Sequence, residues 1–218
     1  MRHPEDSLLL EYSAGVLSEA EELLIAAHLS LCADCRARVA ALDAVGGALL
    51  EASPSTSHDR DAASLAAVLS RLSEPAPVPQ PVPAIAPALA DLPLPAPLRD
   101  VVARAGIRSW STVVPLMVRQ ITLPIVWAGA PVRLTRVRGG FQVPNHTHRG
   151  RELNLVLAGG FHDHRGGYGP GDVTDSDERV THALSIDRGE DCIILAVNEA
   201  PLVPVGLGAH LASWLTGF

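Results

Sequence analysis

Lysine is missing altogether from this chain of 218 residues; all 17 basic side chains are arginine. With alanine and proline abundant, that absence reads as genome composition rather than function. Aromatic residues make up only 4% of the sequence, so any core has to be aliphatic. No apolar run approaches the roughly 18 residues of a membrane-spanning helix. The opening Met-Arg-His-Pro-Glu-Asp leads into a short acidic helix instead of an apolar leader. The three cysteines are too few for a disulfide framework, and Cys32 and Cys35 stand in C-x-x-C spacing, which suits a metal in a reducing compartment. The expectation is a soluble, cytoplasmic protein.

What is present divides the chain in two. Hydrophobic residues at 47% are enough for real cores. The net charge of −7 is uneven: residues 1–73 carry five arginines against eleven acids, residues 98–218 twelve against eleven. An acidic front half argues against direct nucleic-acid binding and favours a basic protein partner.

The pattern predicts an α + β protein of two domains. Residues 1–74 read as a bundle of about four helices. The first spans about Asp6 to Ala14, capped by Asp6 or Ser7 and ended by Gly15. The second opens on the capping box Ser18-Glu-Ala-Glu21 and runs to about Leu31, with Leu23, Leu24, Ala27 and Leu31 as its apolar stripe. The third is capped by Asp34 and carries Val39, Leu42, Val45, Leu49 and Leu50. After a polar link from Ser53 to His58, a fourth spans Asp59 to Leu72. Its apolar residues Leu65, Val68, Leu69 and Leu72 make it either a fourth bundle member or a docking surface. Residues 75–97, with nine prolines, read as a semi-rigid polyproline-like spacer. Residues 98–218 switch to short strands punctuated by Gly139-Gly140, Gly159-Gly160, Gly166-Gly167 and Pro170-Gly171, the signature of an antiparallel β-barrel or jelly roll. Leu153, Leu155 and Leu157 share one face there, and Cys192-Ile-Ile-Leu-Ala-Val197 is a buried strand.

Two constellations carry chemistry. His28 and Cys32 lie one helical turn apart on one face, and Cys35 follows at a turn. An imidazole and two thiols converging in this way suit zinc, and His3 is the candidate fourth ligand. Four protein ligands close a tetrahedral ion, so the site is expected to be structural. The second is Gly140-x5-His146-x-His148-x3-Glu152-x6-Gly159. His146 and His148 share a strand face, and Glu152 keeps that parity if the chain stays extended. His182 is expected to complete the set, with His162 and His164 as competitors. A mixed N/O site suits a divalent zinc, iron or manganese. His58, His210 and Arg36, Arg38, Arg149 and Arg151 are expected at surface or supporting positions.

A histidine ahead of the first helix followed by His28-Leu-Ser-Leu-Cys-Ala-Asp-Cys35 resembles the zinc-binding anti-sigma domain. The second constellation resembles the first cupin motif. The second cupin motif is only partly kept, because ten residues separate Gly171 from His182. Together the two domains resemble the ChrR family of anti-sigma factors. That resemblance implies a non-enzymatic regulator that binds an extracytoplasmic-function-type sigma factor in a 1:1 complex. It also implies that a zinc-held helical module inhibits and a cupin-like domain responds to singlet oxygen and related oxidants. A thiol switch at Cys32 and Cys35 ranks second as a sensing device, since His3 stands where thiol-switch relatives carry cysteine. From a different class, the barrel could be a metal-dependent dioxygenase or isomerase with an appended zinc module.

Overall fold

The computed structural model of the chain describes residues 1–54, 59–76 and 81–205. The expectations for His58 and His210 fall outside the described residues.

Helix α1 (Asp6–Ser13) starts at Glu5, which offers no side-chain cap, so neither Asp6 nor Ser7 has the capping role expected of it. It stops where Gly15 turns to φ +66, a conformation open to glycine at no steric cost. Helix α2 (Glu19–Leu31) is opened by the Ser18–Glu21 capping box, both halves of which are formed. Its burial departs from a single stripe. Ala20, Leu23, Leu24, Ile25, Ala27, His28 and Leu29 are all buried, whereas Leu31 is 44% exposed. The helix lies between other helices and a sheet, so more than one face is covered. Helix α3 (Ala33–Ala52) is capped by the Cys32 thiol and not by Asp34: Sγ accepts from the Cys35 amide at 3.4 Å. Helix α4 covers Asp59–Arg71.

The proline-rich stretch is not a spacer along its whole described length. Pro87–Leu89 forms a 3₁₀ turn, and Leu89, Leu92 and Leu94 are buried in the core. A helix follows at once, α5 (Ala96–Arg104), with proline in its first turn. Proline is favoured there because the missing N–H would have no helical acceptor. Leu98 and Val102, one turn apart, are its buried face.

Eleven strands follow among the described residues: β1 (Ser111–Val114), β2 (Val118–Trp127), β3 (Ala130–Val137), β4 (Gln142–Thr147), β5 (Glu152–Ala158), β6 (Phe161–Asp163), β7 (Gly166–Tyr168), β8 (Val173–Ser176), β9 (Thr181–Ile186), β10 (Cys192–Asn198) and β11 (Val203–Pro204). They form a six-stranded sheet in the order β1-β2-β3-β10-β5-β8 and a five-stranded sheet in the order β11-β4-β9-β6-β7, so the barrel expected from the sequence is an open one of two sheets. The middle of the six-stranded sheet is buried on both faces, as along β5, whereas Ser111 and Thr112 on β1 and Val126 on β2 are exposed. On β5, Leu153, Leu155 and Leu157 join Leu24, Leu98 and the other helical residues in one continuous core. The alternate residue Val156 packs inside the barrel with Phe161 and Ile194. Period-two alternation thus gives one strand two apolar faces with different partners. The helical part and the barrel share a core.

Two candidate metal centres

The first cluster sits where the two parts meet. His28 lies in the last turn of α2, Cys32 is the junction residue, Cys35 begins α3, and His3 comes from the segment ahead of α1. One donor atom from each lies within 4.8 Å of the others. His3 Nδ1 is 3.4 Å from Cys32 Sγ and 3.2 Å from Cys35 Sγ. The Gly171 carbonyl can only accept, so His28 Nδ1–H donates to it, at 2.9 Å. That leaves His28 Nε2 unprotonated, buried, and without a hydrogen-bond partner among the described residues. Burial lowers the His28 pKa, against the Gly171 hydrogen bond, which raises it. Burial, then the neighbouring Cys32, pushes the Cys35 thiol up. A buried lone pair facing two buried thiols is costly alone and becomes favourable around a soft cation that turns thiols into thiolates. The donor set fits such an ion.

The second cluster lies between the two sheets. His146 (β4) and His182 (β9) are register partners on neighbouring strands. His148 follows β4, and Glu152 opens β5 on the opposite sheet. The extended-chain parity expected for Glu152 does not hold. The chain turns at Gly150, φ +101, and the carboxylate reaches the histidines from across the interior. The three rings stand 4.6 to 5.4 Å apart. Each has its Nδ1 engaged: His146 with Pro144 O at 2.8 Å, His148 with Asp177 O at 3.1 Å, His182 with Asp163 Oδ2 at 3.0 Å. Each Nε2 is buried without a hydrogen-bond partner among the described residues. His148 Nε2 comes within 3.2 Å of Glu152 Oε2, close enough for an ion pair but not aligned for a hydrogen bond.

Burial lowers the pKa values of His146 and His182. Burial also works to lower His148, but the Glu152 carboxylate reverses the sign and leaves it raised. Glu152, opposed by its own burial, is held low by His148 and the other two histidines. Three Nε2 lone pairs and a carboxylate converging in a buried site fit a divalent cation.

The eight residues singled out in the sequence are therefore brought together as two groups of four. His162 and His164 are not among them; His162 is exposed and pairs with Asp187 at 2.7 Å. Of the flanking arginines, Arg38 pairs with Asp6, and Arg151 with Asp175 and Glu21. Supporting residues went unread: Gly171 behind His28, Asp163 behind His182, and Asn198, whose amide donates to Glu152 at 2.7 Å. Nothing local marks them, because each is placed by strand pairing or by docking of the two parts. A cavity of about 100 Å³ opens beside the second cluster, lined by His146 and Glu152, with Arg133, Gln120 and Asn154 among its polar walls.

A cysteine–histidine helical module fused through a shared core to a cupin-like domain defines the class. Residues 99–202 match the family model described as the ChrR cupin-like domain. The anti-sigma-E factor ChrR of Cereibacter sphaeroides is 45% identical over 204 residues, covering 92% of this chain and 90% of that protein. The crystal structure of Rhodobacter sphaeroides SigE in complex with the anti-sigma ChrR matches with a TM-score of 0.72. Identity there is 40%, over 91% of this chain and 98% of the matched one. The chain belongs to the ChrR family of anti-sigma factors, and its kinship is to a regulator, not to an enzyme. No helix among the described residues is long and apolar enough to cross a membrane.

Proposed function

We propose that this chain sequesters an extracytoplasmic-function-type sigma factor in the cytoplasm as a 1:1 complex, wedged between its two conserved domains so that polymerase and promoter are out of reach. The observation that carries this reading is the match, over nine-tenths of the chain, to a protein solved in complex with SigE. The surface supports it. Val45, Leu49 and Leu50 on α3 and Leu65, Val68 and Leu69 on α4, with Leu72 just beyond it, are exposed. Two consecutive helices with solvent-facing leucines are suited to an apolar groove on a partner. The acidic front half complements a basic sigma surface.

In this reading His3, His28, Cys32 and Cys35 hold a structural zinc that fixes α1, α2 and α3. A second divalent ion, zinc in preference to iron or manganese, is held by His146, His148, Glu152 and His182. Oxidants of the singlet-oxygen type act through the barrel. Burial of Cys32 and Cys35 makes the paired thiols poor first targets. Co-purification of the full chain with the sigma factor encoded beside it tests the reading. A stable 1:1 complex, lost on chelation, is expected; a chain that captures no sigma factor when zinc-loaded contradicts it.

A further inference from the structure

The two histidines of the helical cluster are held in place from the barrel. His28 donates to Gly171 O. His3 follows Arg2, whose amide donates to Asp172 Oδ1 at 2.5 Å and whose carbonyl accepts from Val173 N at 3.0 Å. The Arg2 guanidinium lies 4.1 Å above the Tyr168 ring. It also donates to the Tyr168 hydroxyl and to Arg165 O, both at 3.0 Å. Cys32 and Cys35 are held by the α2–α3 junction.

The same stretch, residues 163–173, reaches the second cluster at its other end. Asp163, whose side chain is buried, accepts from His182 Nδ1 at 3.0 Å. It also accepts from the Arg165 backbone amide at 2.7 Å and from Arg165 Nε at 3.0 Å. Arg165 continues to Ser176 Oγ at 2.9 Å. One hairpin and turn therefore carry the outer partners of a histidine in each cluster, with Arg165 anchored to Asp163 by its side chain and to Arg2 by its carbonyl.

We propose that the 163–173 segment is a shared positioning element that couples the two metal centres: it orients His3 and His28 for the ion in the helical module, and that ion and the barrel ion strengthen each other's binding. This deepens the function proposed above and rests on its assignment of a metal to the helical cluster. Groups that fix the free nitrogen of a ligating histidine set its tautomer and aim, and removing them costs about 10- to 100-fold in metal affinity. Coupling between two sites is reciprocal. A signal that empties the barrel would thus loosen the helical ion with no chemistry at the thiols.

The test uses the full chain without a sigma factor, so its outcome does not depend on partner binding. Cobalt(II) serves as the probe, because only the helical cluster contains thiolates and only it can give a sulfur-to-cobalt charge-transfer band. Arg2→Ala, which keeps the two backbone hydrogen bonds and removes the side-chain anchor, is expected to lower affinity at that band by up to about 10-fold, the low end for outer partners of a ligand, and to shift the band. Tyr168→Phe, which keeps the ring beneath the guanidinium, is expected to act in the same direction more weakly. His146→Ala in the barrel is expected to weaken the thiolate site by about fivefold or more. Arg136→Ala, whose partner is Asp191, should leave it unchanged. Band position and affinity unmoved in Arg2→Ala and Tyr168→Phe would overturn the positioning role. A thiolate site indifferent to His146→Ala would overturn the coupling. No charge-transfer band in the parent chain would sink both this inference and the zinc assignment beneath it.

Discussion

Imidazole protonation decides much of the behaviour at the scale of single residues. His28, His146 and His182 have folded-state pKa values held below the ordinary histidine value. The unfolded chain then takes up protons first as pH falls, so the stability tied to these three is complete above about 6.5 and drains away below it. His148 is raised and works in the opposite sense: its contribution is complete below about 6.5 and is lost as pH rises through its folded value. Three groups oppose one, and a metal-free sample is expected to melt at a lower temperature at pH 5.5 than at pH 7.5. A melting temperature that rises on acidification contradicts this. His28→Ala removes a proposed ligand and also strands the Gly171 carbonyl in a buried site, which costs about 1–3 kcal/mol before any metal is counted. Elemental analysis should show one equivalent of zinc lost, and denaturant titration a lower midpoint. His162→Ala, at an exposed ion pair, should cost no more than about 1 kcal/mol and release no metal.

Among the elements, α2 and α4 are opposites. Leu24 on α2 is fully buried against the helices and the sheet. Leu24→Ala should therefore cost about 2–5 kcal/mol, read as a fall in the denaturant midpoint. Leu69 on α4 is 53% exposed. Leu69→Glu should leave stability within about 0.5 kcal/mol while weakening sigma capture at least tenfold. Equal capture by this variant in a pull-down titration would show that α4 does not carry the contact. Element α5 has its own lesson: proline at 95 and 97 looks like more spacer, yet Leu98, Val101 and Val102 recur at helical spacing. Proline in a first turn is a start signal as readily as a break.

The whole molecule behaves as a joined body, because Leu24, Leu98, Leu153 and Leu195 belong to the same core. A spacer between independent domains would allow two melting transitions. The shared core calls for one cooperative transition in the metal-loaded chain, to be checked by calorimetry. Chelation should detach the helical part from this transition. Zinc binding in small zinc modules supplies folding energy, on the order of 10–16 kcal/mol, and α1 and α3 have modest apolar burial of their own. Helical circular dichroism should fall on zinc removal while the barrel's β signal persists.

The sequence alone was enough for much that depends on near neighbours, though not for the caps of α1 and α3. Periods of 3.6 and 2 separated helices from strands, the Ser18–Glu21 box began α2 where expected, and the spacing of His28, Cys32 and Cys35 put three donors at one helix junction. Local geometry fixes such features within a turn or two. Only the tertiary structure could decide which distant groups complete each cluster. It brought His3 to the thiols and turned Glu152 in from the opposite sheet. It set Gly171 and Asp163 behind their histidines, and buried Leu89, Leu92 and Leu94 in a stretch that composition alone marks as a spacer. Those placements depend on strand register and on the docking of helices against a sheet face, and neither leaves a periodic trace along the chain.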